Sequence, residues 1–188
     1  MKVIIIEGPD NTGKNTLIQH IIDSNLVVKI IHCDKPSSKD DPFLEQQQLF
    51  LNHARNVIRD SIERHVDVVI FNRYYQGEYV YGQMYRQGDA DKIKKMISII
   101  EEYLINNIGI ENIYYVQLNS HSPYLLKKND DGKSLSGAEL DKIQREIDLF
   151  NKVYKLSTLK KKMICISDGD NFRSRENILK QFIKFIEN

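Results

Sequence analysis

Apolar positions along the chain follow two alternating periods. Short β-branched runs at Val3–Ile6, Val27–Cys33, Val66–Phe71, Ile113–Leu118 and Met163–Ser167 have the length and residue type of buried parallel strands. Between them, apolar residues recur every three or four positions, the spacing of a helix with one inward face. Leu17, Ile18, Ile21 and Ile22 form the first face; Phe43, Phe50, Ala54, Val57, Ile58 and Ile62 the second. A helix from Asp89 to Asn107 turns Ile93, Ile97, Ile100 and Leu104 inward and stops at Gly109. Ser136 and Glu139 are spaced as a capping box for a helix whose face is Ile143, Ile147, Phe150 and Tyr154. Ser174 caps the last, with Ile178, Leu179, Phe182, Ile183 and Ile186 inward. Strands alternating with helices predict a parallel α/β sheet with right-handed crossovers. The polar run Lys127–Gly137 is too short for a domain linker. It reads as a lid over about residues 124–137, inside a single domain covering 1–188.

Between the first strand and the first helix stands Gly8-Pro9-Asp10-Asn11-Thr12-Gly13-Lys14-Asn15-Thr16. Strand, glycine-bounded loop and helix are the setting of a phosphate-binding loop, and the spacing G-x-x-x-x-G-K is met in full. Gly8 and Gly13 allow a tight turn and close backbone approach. Asp10, Asn11, Thr12, Asn15 and Thr16 surround the N–H groups of a helix N-terminus, and Lys14 is expected as an exposed point charge for the outer phosphates. Asn15 stands where Ser or Thr normally offers Mg²⁺ a hydroxyl, and Thr16 comes one position late.

Composition narrows the partners. A chain of 188 residues with 41% hydrophobic and 28% charged residues is ordinary for a globular protein with a substantial core. A net charge of +1 offers no bulk field for nucleic acid or membrane. Cys33 and Cys165 lie at apolar runs without metal-ligand spacing, which fits a reducing, cytoplasmic setting. The N-terminal apolar run is too short for a signal peptide, and no apolar stretch nears the ~20 residues that span a bilayer.

In open parallel sheets, ligands sit beyond the carboxyl ends of the strands. The turns there are the phosphate loop, Asp34-Lys35-Pro36, Asn72-Arg73 and Asp168 to Asn171. Arg73 offers a bidentate fork to a phosphate, against a surface ion pair as the plainer reading. The segment Tyr74–Arg86 holds Tyr74, Glu78, Tyr81 and Gln83, able to stack on a base or bond its edge. The alternative is a helix with a tyrosine core stripe.

These motifs carry a resemblance. IIIEGPDNTGKNT, NRYYQGEYVYGQ and LDKIQREIDLFNKVYKLS resemble, in that order, the glycine-rich entry, the aspartate-arginine-tyrosine motif and the helix after the lid of the thymidylate kinase-like P-loop nucleoside and nucleotide kinases. The resemblance implies a three-layer P-loop sandwich with a five-stranded parallel sheet of order 2-3-1-4-5. It implies ATP with Mg²⁺ on the loop and an acceptor opposite. Arg73 would take the acceptor's phosphate, and Asp34 its hydroxyl or the metal. Lys127, Lys128 and Lys133 would carry lid charge to the phosphoryl group, with Lys128 counted among the catalytic residues. Asp170, Asn171 and Phe172 would border the adenine. Asn72 replaces the family's aspartate, so Asn15 and Asn72 are the candidate metal ligands.

The activity so implied is ATP-dependent phosphorylation of a deoxynucleoside monophosphate, as in nucleotide biosynthesis. The expected partner is a small-molecule nucleotide, with a homodimer as a candidate assembly. The rivals are a deoxynucleoside kinase, a kinase of a hydroxylated base in DNA, which alone would bring DNA as a partner, and a nucleotide-binding protein that has lost catalysis. Asn15 and Asn72 favour the last. No N-K-x-D base-reading motif for a GTPase is present.

Overall fold

The structure, a computed structural model, describes residues 1–22, 27–33, 42–63 and 65–187, without the side chains of 42–44 and 60–62. Val3, Ile4, Ile5 and Ile6 lie in strand β1 (Lys2–Glu7) and are all fully buried. A strand apolar at every position needs cover on both faces, and β1 has it because it runs down the middle of the sheet. Among the described residues, β2 (Val28–His32), β3 (Val68–Asn72), β1, β4 (Ile113–Asn119) and β5 (Lys160–Cys165) lie side by side in that order, all parallel. This is the order 2-3-1-4-5 that the resemblance implied. Val3 and Ile5 point into one core with Phe71, Tyr115 and Phe150, while Ile4 and Ile6 point into the other with Leu17, Ile70 and Phe182.

Helices α1 (Lys14–Ile22), α2 (Pro42–Glu63), α4 (Ala90–Ile108), α6 (Leu140–Leu156) and α7 (Arg175–Glu187) arise where helical periodicity predicts them. Asp89 caps α4 by accepting from the N–H groups of Asp91 (2.8 Å) and Lys92 (3.1 Å), and Gly109 ends it at φ 86°. Phe50, Ala54 and Val57 of α2 are buried. Phe43 and Ile62, assigned to the same face, have side chains outside the described residues. On α7, Phe182 is buried but Ile183 is 39% exposed, so the inner face is narrower than its spacing suggested.

Two expectations are corrected. Strand β5 begins at Lys160, three residues before its apolar run, because it is an edge strand that can carry lysines. Two of their ammonium groups lie over rings: Lys160 Nζ is 4.7 Å from the centre of Tyr114 and Lys161 Nζ 5.3 Å from that of Tyr154. The Ser136/Glu139 capping box does not form. Helix α6 starts at Leu140, Glu139 makes no side-chain cap and bonds Lys142 instead, and the Ser136 hydroxyl donates to Ser134 Oγ at 3.3 Å. The tyrosine-rich segment is a helix, α3 (Tyr75–Tyr85), despite its two glycines. Its own first residues give no side-chain cap. Glu7, at the end of β1, supplies one from across the fold, Oε1 accepting from the N–H groups of Tyr74 (2.6 Å) and Gly77 (3.0 Å).

Two short elements escaped the periodicity. A helix α5 (Pro123–Lys128), capped by Ser122 and with Leu125 and Leu126 buried, occupies the start of the stretch read as a lid. A two-residue hairpin of β6 (Ser167–Asp168) and β7 (Asn171–Phe172) brings the chain to α7.

Candidate active site

Everything assembles around the loop after β1. Gly8 adopts φ 140°, and a Cβ there would lie 2.1 Å from the Leu118 carbonyl oxygen of β4, so glycine alone fits. Asn11 and Gly13 also take positive φ, 63° and 81°. Thr12 Oγ1 donates to the Pro9 carbonyl at 2.9 Å. Lys14, expected to be exposed, is buried: Nζ donates to the carbonyls of Gly8 (2.8 Å) and Pro9 (2.6 Å). The lysine braces the loop from within, and burial pushes its pKa well down, helped by the nearby Arg73 charge.

Arg73 follows β3 in the left-handed region at φ 67°, its N–H bonded to the Ile6 carbonyl at 3.1 Å. That conformation aims its side chain back toward the phosphate loop. The guanidinium pairs with the Asp10 carboxylate and lies 5.8 Å from the centre of the Tyr81 ring. The other oxygen of Asp10 accepts from the Leu135 N–H at 3.3 Å, and Asn11 donates to Asp130 at 3.2 Å. The polar run 127–137 is thus tied to the loop by two contacts, one of them through Asp10, which also holds Arg73.

Two carboxyls near Lys14 and Arg73 were missed in the sequence. Glu7 is fully buried, its Oε2 has no hydrogen-bond partner, and burial raises its pKa. Glu146 of α6 is buried facing Asp10; burial, then the Asp10 charge, pushes its carboxyl up to about 7, and Tyr85 Oη donates to it at 3.4 Å. The signal was present, since Glu146 falls among Ile143, Ile147 and Phe150 on the inward stripe and Glu7 closes an apolar strand.

One cavity opens from the loop and a second lies beside Arg73. One, of about 400 Å³, is lined by Asn11, Thr12, Gly13, Thr16, Phe172 and Arg173. The other, of about 130 Å³, is lined by Arg73, Glu78, Tyr81, Arg86 and Leu135 among others. Glu78 and Tyr81 therefore face the position opposite the loop. Tyr81 Oη is buried without a partner. Tyr74 borders the same cavity but is mainly core: its ring stacks on Phe71 at 3.9 Å and its hydroxyl donates to the Phe50 carbonyl at 2.7 Å. Gln83 is turned back onto its own helix, donating to the Tyr79 carbonyl, and lies outside both linings. Asn171 is exposed beside Phe172, while Asp170 accepts from Ser122 Oγ at 3.3 Å. Lys127, Lys128 and Lys133 are exposed and line neither cavity. Asp34 lies outside the described residues.

Asn72 Nδ2 donates to Asn15 Oδ1 at 2.8 Å and lies 3.2 Å from His32 Nδ1. Where the resemblance places a metal, the chain thus has two amides bonded to each other and an imidazole. Mg²⁺ prefers oxygen ligands with charge. No group of three His, Cys, Asp or Glu residues able to hold a metal occurs among the described residues. These residues do not fit a protein-held Mg²⁺.

No protein-family model matches the chain, and no curated protein sequence does. Solved structures do. The YorR protein from Bacillus subtilis, in complex with phosphorylated GDP, superposes with a TM-score of 0.71 at 19% identity, over 99% of this chain and 96% of that one. A thymidylate kinase from Ehrlichia chaffeensis gives a TM-score of 0.59 at 16% identity, over 97% of both chains. No helix among the described residues is long and apolar enough to cross a membrane. The chain has the fold of the thymidylate kinase-like P-loop kinases.

Proposed function

We propose that the chain is one P-loop kinase domain that transfers the γ-phosphoryl group of ATP to a deoxynucleoside monophosphate. One observation carries the reading. A single loop, residues 8–16, borders the larger cavity directly and, through the Asp10–Arg73 pair, reaches the smaller one. A cavity on the phosphate loop and a second one linked to it by the Asp10–Arg73 pair suit a donor and an acceptor whose phosphates face each other. In the transfer, the bond from the γ-phosphorus to the β–γ bridging oxygen breaks and ADP leaves. A new bond forms to an oxygen of the acceptor phosphate. That oxygen is already anionic near pH 7, so no protein base is needed.

The protein's part is positioning and charge. Lys14 exchanges the Gly8 and Pro9 carbonyls for donor phosphate oxygens, and Arg73 exchanges Asp10 for the acceptor phosphate. Phe172 offers an exposed ring face at the larger cavity for the donor base. Nothing in the Asn15–Asn72–His32 cluster supplies a charged ligand for Mg²⁺, and no step above depends on one. The similarity to thymidylate kinase from Ehrlichia chaffeensis supports a nucleoside monophosphate acceptor.

The test is ADP release from ATP against nucleosides and nucleoside monophosphates. Turnover confined to monophosphates supports the reading, and turnover of bare nucleosides alone overturns it. The amide pair at Asn15 and Asn72 favours one rival, a nucleotide binder without catalysis, which would bind ATP yet release no ADP with any acceptor.

A further inference from the structure

The smaller cavity holds an ion pair that the transfer itself does not use. Glu78 and Arg86 both line it, with side chains 6% and 20% exposed. Arg86 Nε donates to Oε1 at 3.3 Å and Nη2 to Oε2 at 2.5 Å, so the guanidinium grips both carboxylate oxygens. Glu78, Gly82 and Arg86 recur at four-residue spacing, on one face of α3 and its end. A Cβ on Gly82 would sit 2.6 Å from Glu78 Oε1, so the glycine makes room for the carboxylate to lie along the helix toward Arg86. A second polar group waits in the same cavity, the buried and unpartnered Tyr81 Oη. Arg73, the phosphate-binding candidate, lies just before this helix, which carries Glu78 in its first turn and ends at Arg86.

An ionised carboxylate only accepts hydrogen bonds and a guanidinium only donates. A base edge that suits the pair must set donors beside an acceptor. Guanine has N1–H and the 2-amino group next to each other, enough for both carboxylate oxygens, with O6 alongside for an arginine. Cytosine and adenine each offer one amino donor beside a ring nitrogen. Thymine has a single N–H flanked by two carbonyls, so one carboxylate oxygen would face a carbonyl oxygen across the contact.

We infer that Glu78 and Arg86 read the acceptor base and that the base is guanine. The inference rests on the kinase reading, which by itself leaves the base open. It makes Glu78 a specificity-determining residue.

The experiment compares dGMP, dIMP, dCMP, dAMP and dTMP as acceptors at fixed ATP, with calorimetric binding of each monophosphate alongside. dIMP differs from dGMP only in lacking the 2-amino group. The parent protein should prefer dGMP, and dIMP should fall by about 10- to 100-fold in kcat/KM and in affinity, because one carboxylate oxygen loses its partner. In Glu78→Gln the dGMP/dIMP ratio should collapse toward one. The dTMP value should rise relative to dGMP, since an amide offers a donor beside an acceptor. If the parent takes dIMP as well as dGMP, or dTMP as well as either, the guanine assignment is wrong while the kinase reading stands. No ADP with any acceptor would sink the kinase reading instead. The binding comparison of dGMP with dIMP would still decide the role of the pair.

Discussion

Arg73→Ala separates acceptor binding from donor binding. In the structure the guanidinium is 38% exposed and engages Asp10, which is itself 11% exposed. The partner it must leave is therefore partly screened and worth about 1 kcal/mol. A bidentate, charge-assisted contact to the acceptor phosphate in the closed site is worth about 3–5 kcal/mol. The difference, about 2–4 kcal/mol, is what the substitution removes from acceptor binding. At 1.4 kcal/mol per factor of ten, the acceptor KM should rise from tens of times to several hundred. Backbone strain does not change, since alanine pays the same left-handed cost at φ 67° as arginine. The assay is steady-state ADP release with acceptor and ATP varied in turn, plus direct ATP binding. ATP should bind within a few-fold of the parent. Equal losses for ATP and acceptor would show that the substitution disturbs the phosphate loop through Asp10. An unchanged acceptor KM would refute the assignment.

Three further outcomes are expected. Lys14→Ala should weaken ATP binding by about 2–3 kcal/mol and should also lower Tm, because the Gly8 and Pro9 carbonyls lose their donor; calorimetry and thermal melts check both. Glu146, raised to about 7 by burial, carries more protons folded than unfolded between about pH 4.5 and 7, so its contribution to stability falls as pH rises through that window. Glu146→Gln should therefore gain on the parent, by on the order of 2–3 kcal/mol at pH 8 relative to pH 4, and a parallel pair of Tm–pH curves would dismiss this account. Asn15→Thr with Asn72→Asp should lower the Mg²⁺ concentration for half-maximal turnover roughly tenfold, since a charged oxygen replaces an amide; coincident titration curves would show that the amides do not limit the metal.

The sequence alone determined what depends on neighbours in the chain. Gly8 and Gly13 permit the positive φ of a phosphate loop, Asp89 and Gly109 start and stop α4, and continuous β-branched runs mark strands covered on both faces. Partners far apart in the chain decided the rest. Glu7 caps α3 through residues 67 and 70 positions away, Asp10 meets Arg73 at 63 and Leu135 at 125. No local pattern encodes such distances. Lys14 looked exposed because loops usually are, yet the loop closed on it. Tyr74 and Gln83 shared a promising motif with Glu78 and Tyr81, but Tyr74, just before the helix, stacks into the Phe71 core and Gln83 turns onto its own helix backbone. Three lysines hid the start of β5, because only the assembled sheet shows which strand is at the edge. Periodicity reports how each segment is covered; which side chains converge on the site is set by the packing of the sheet and its helices.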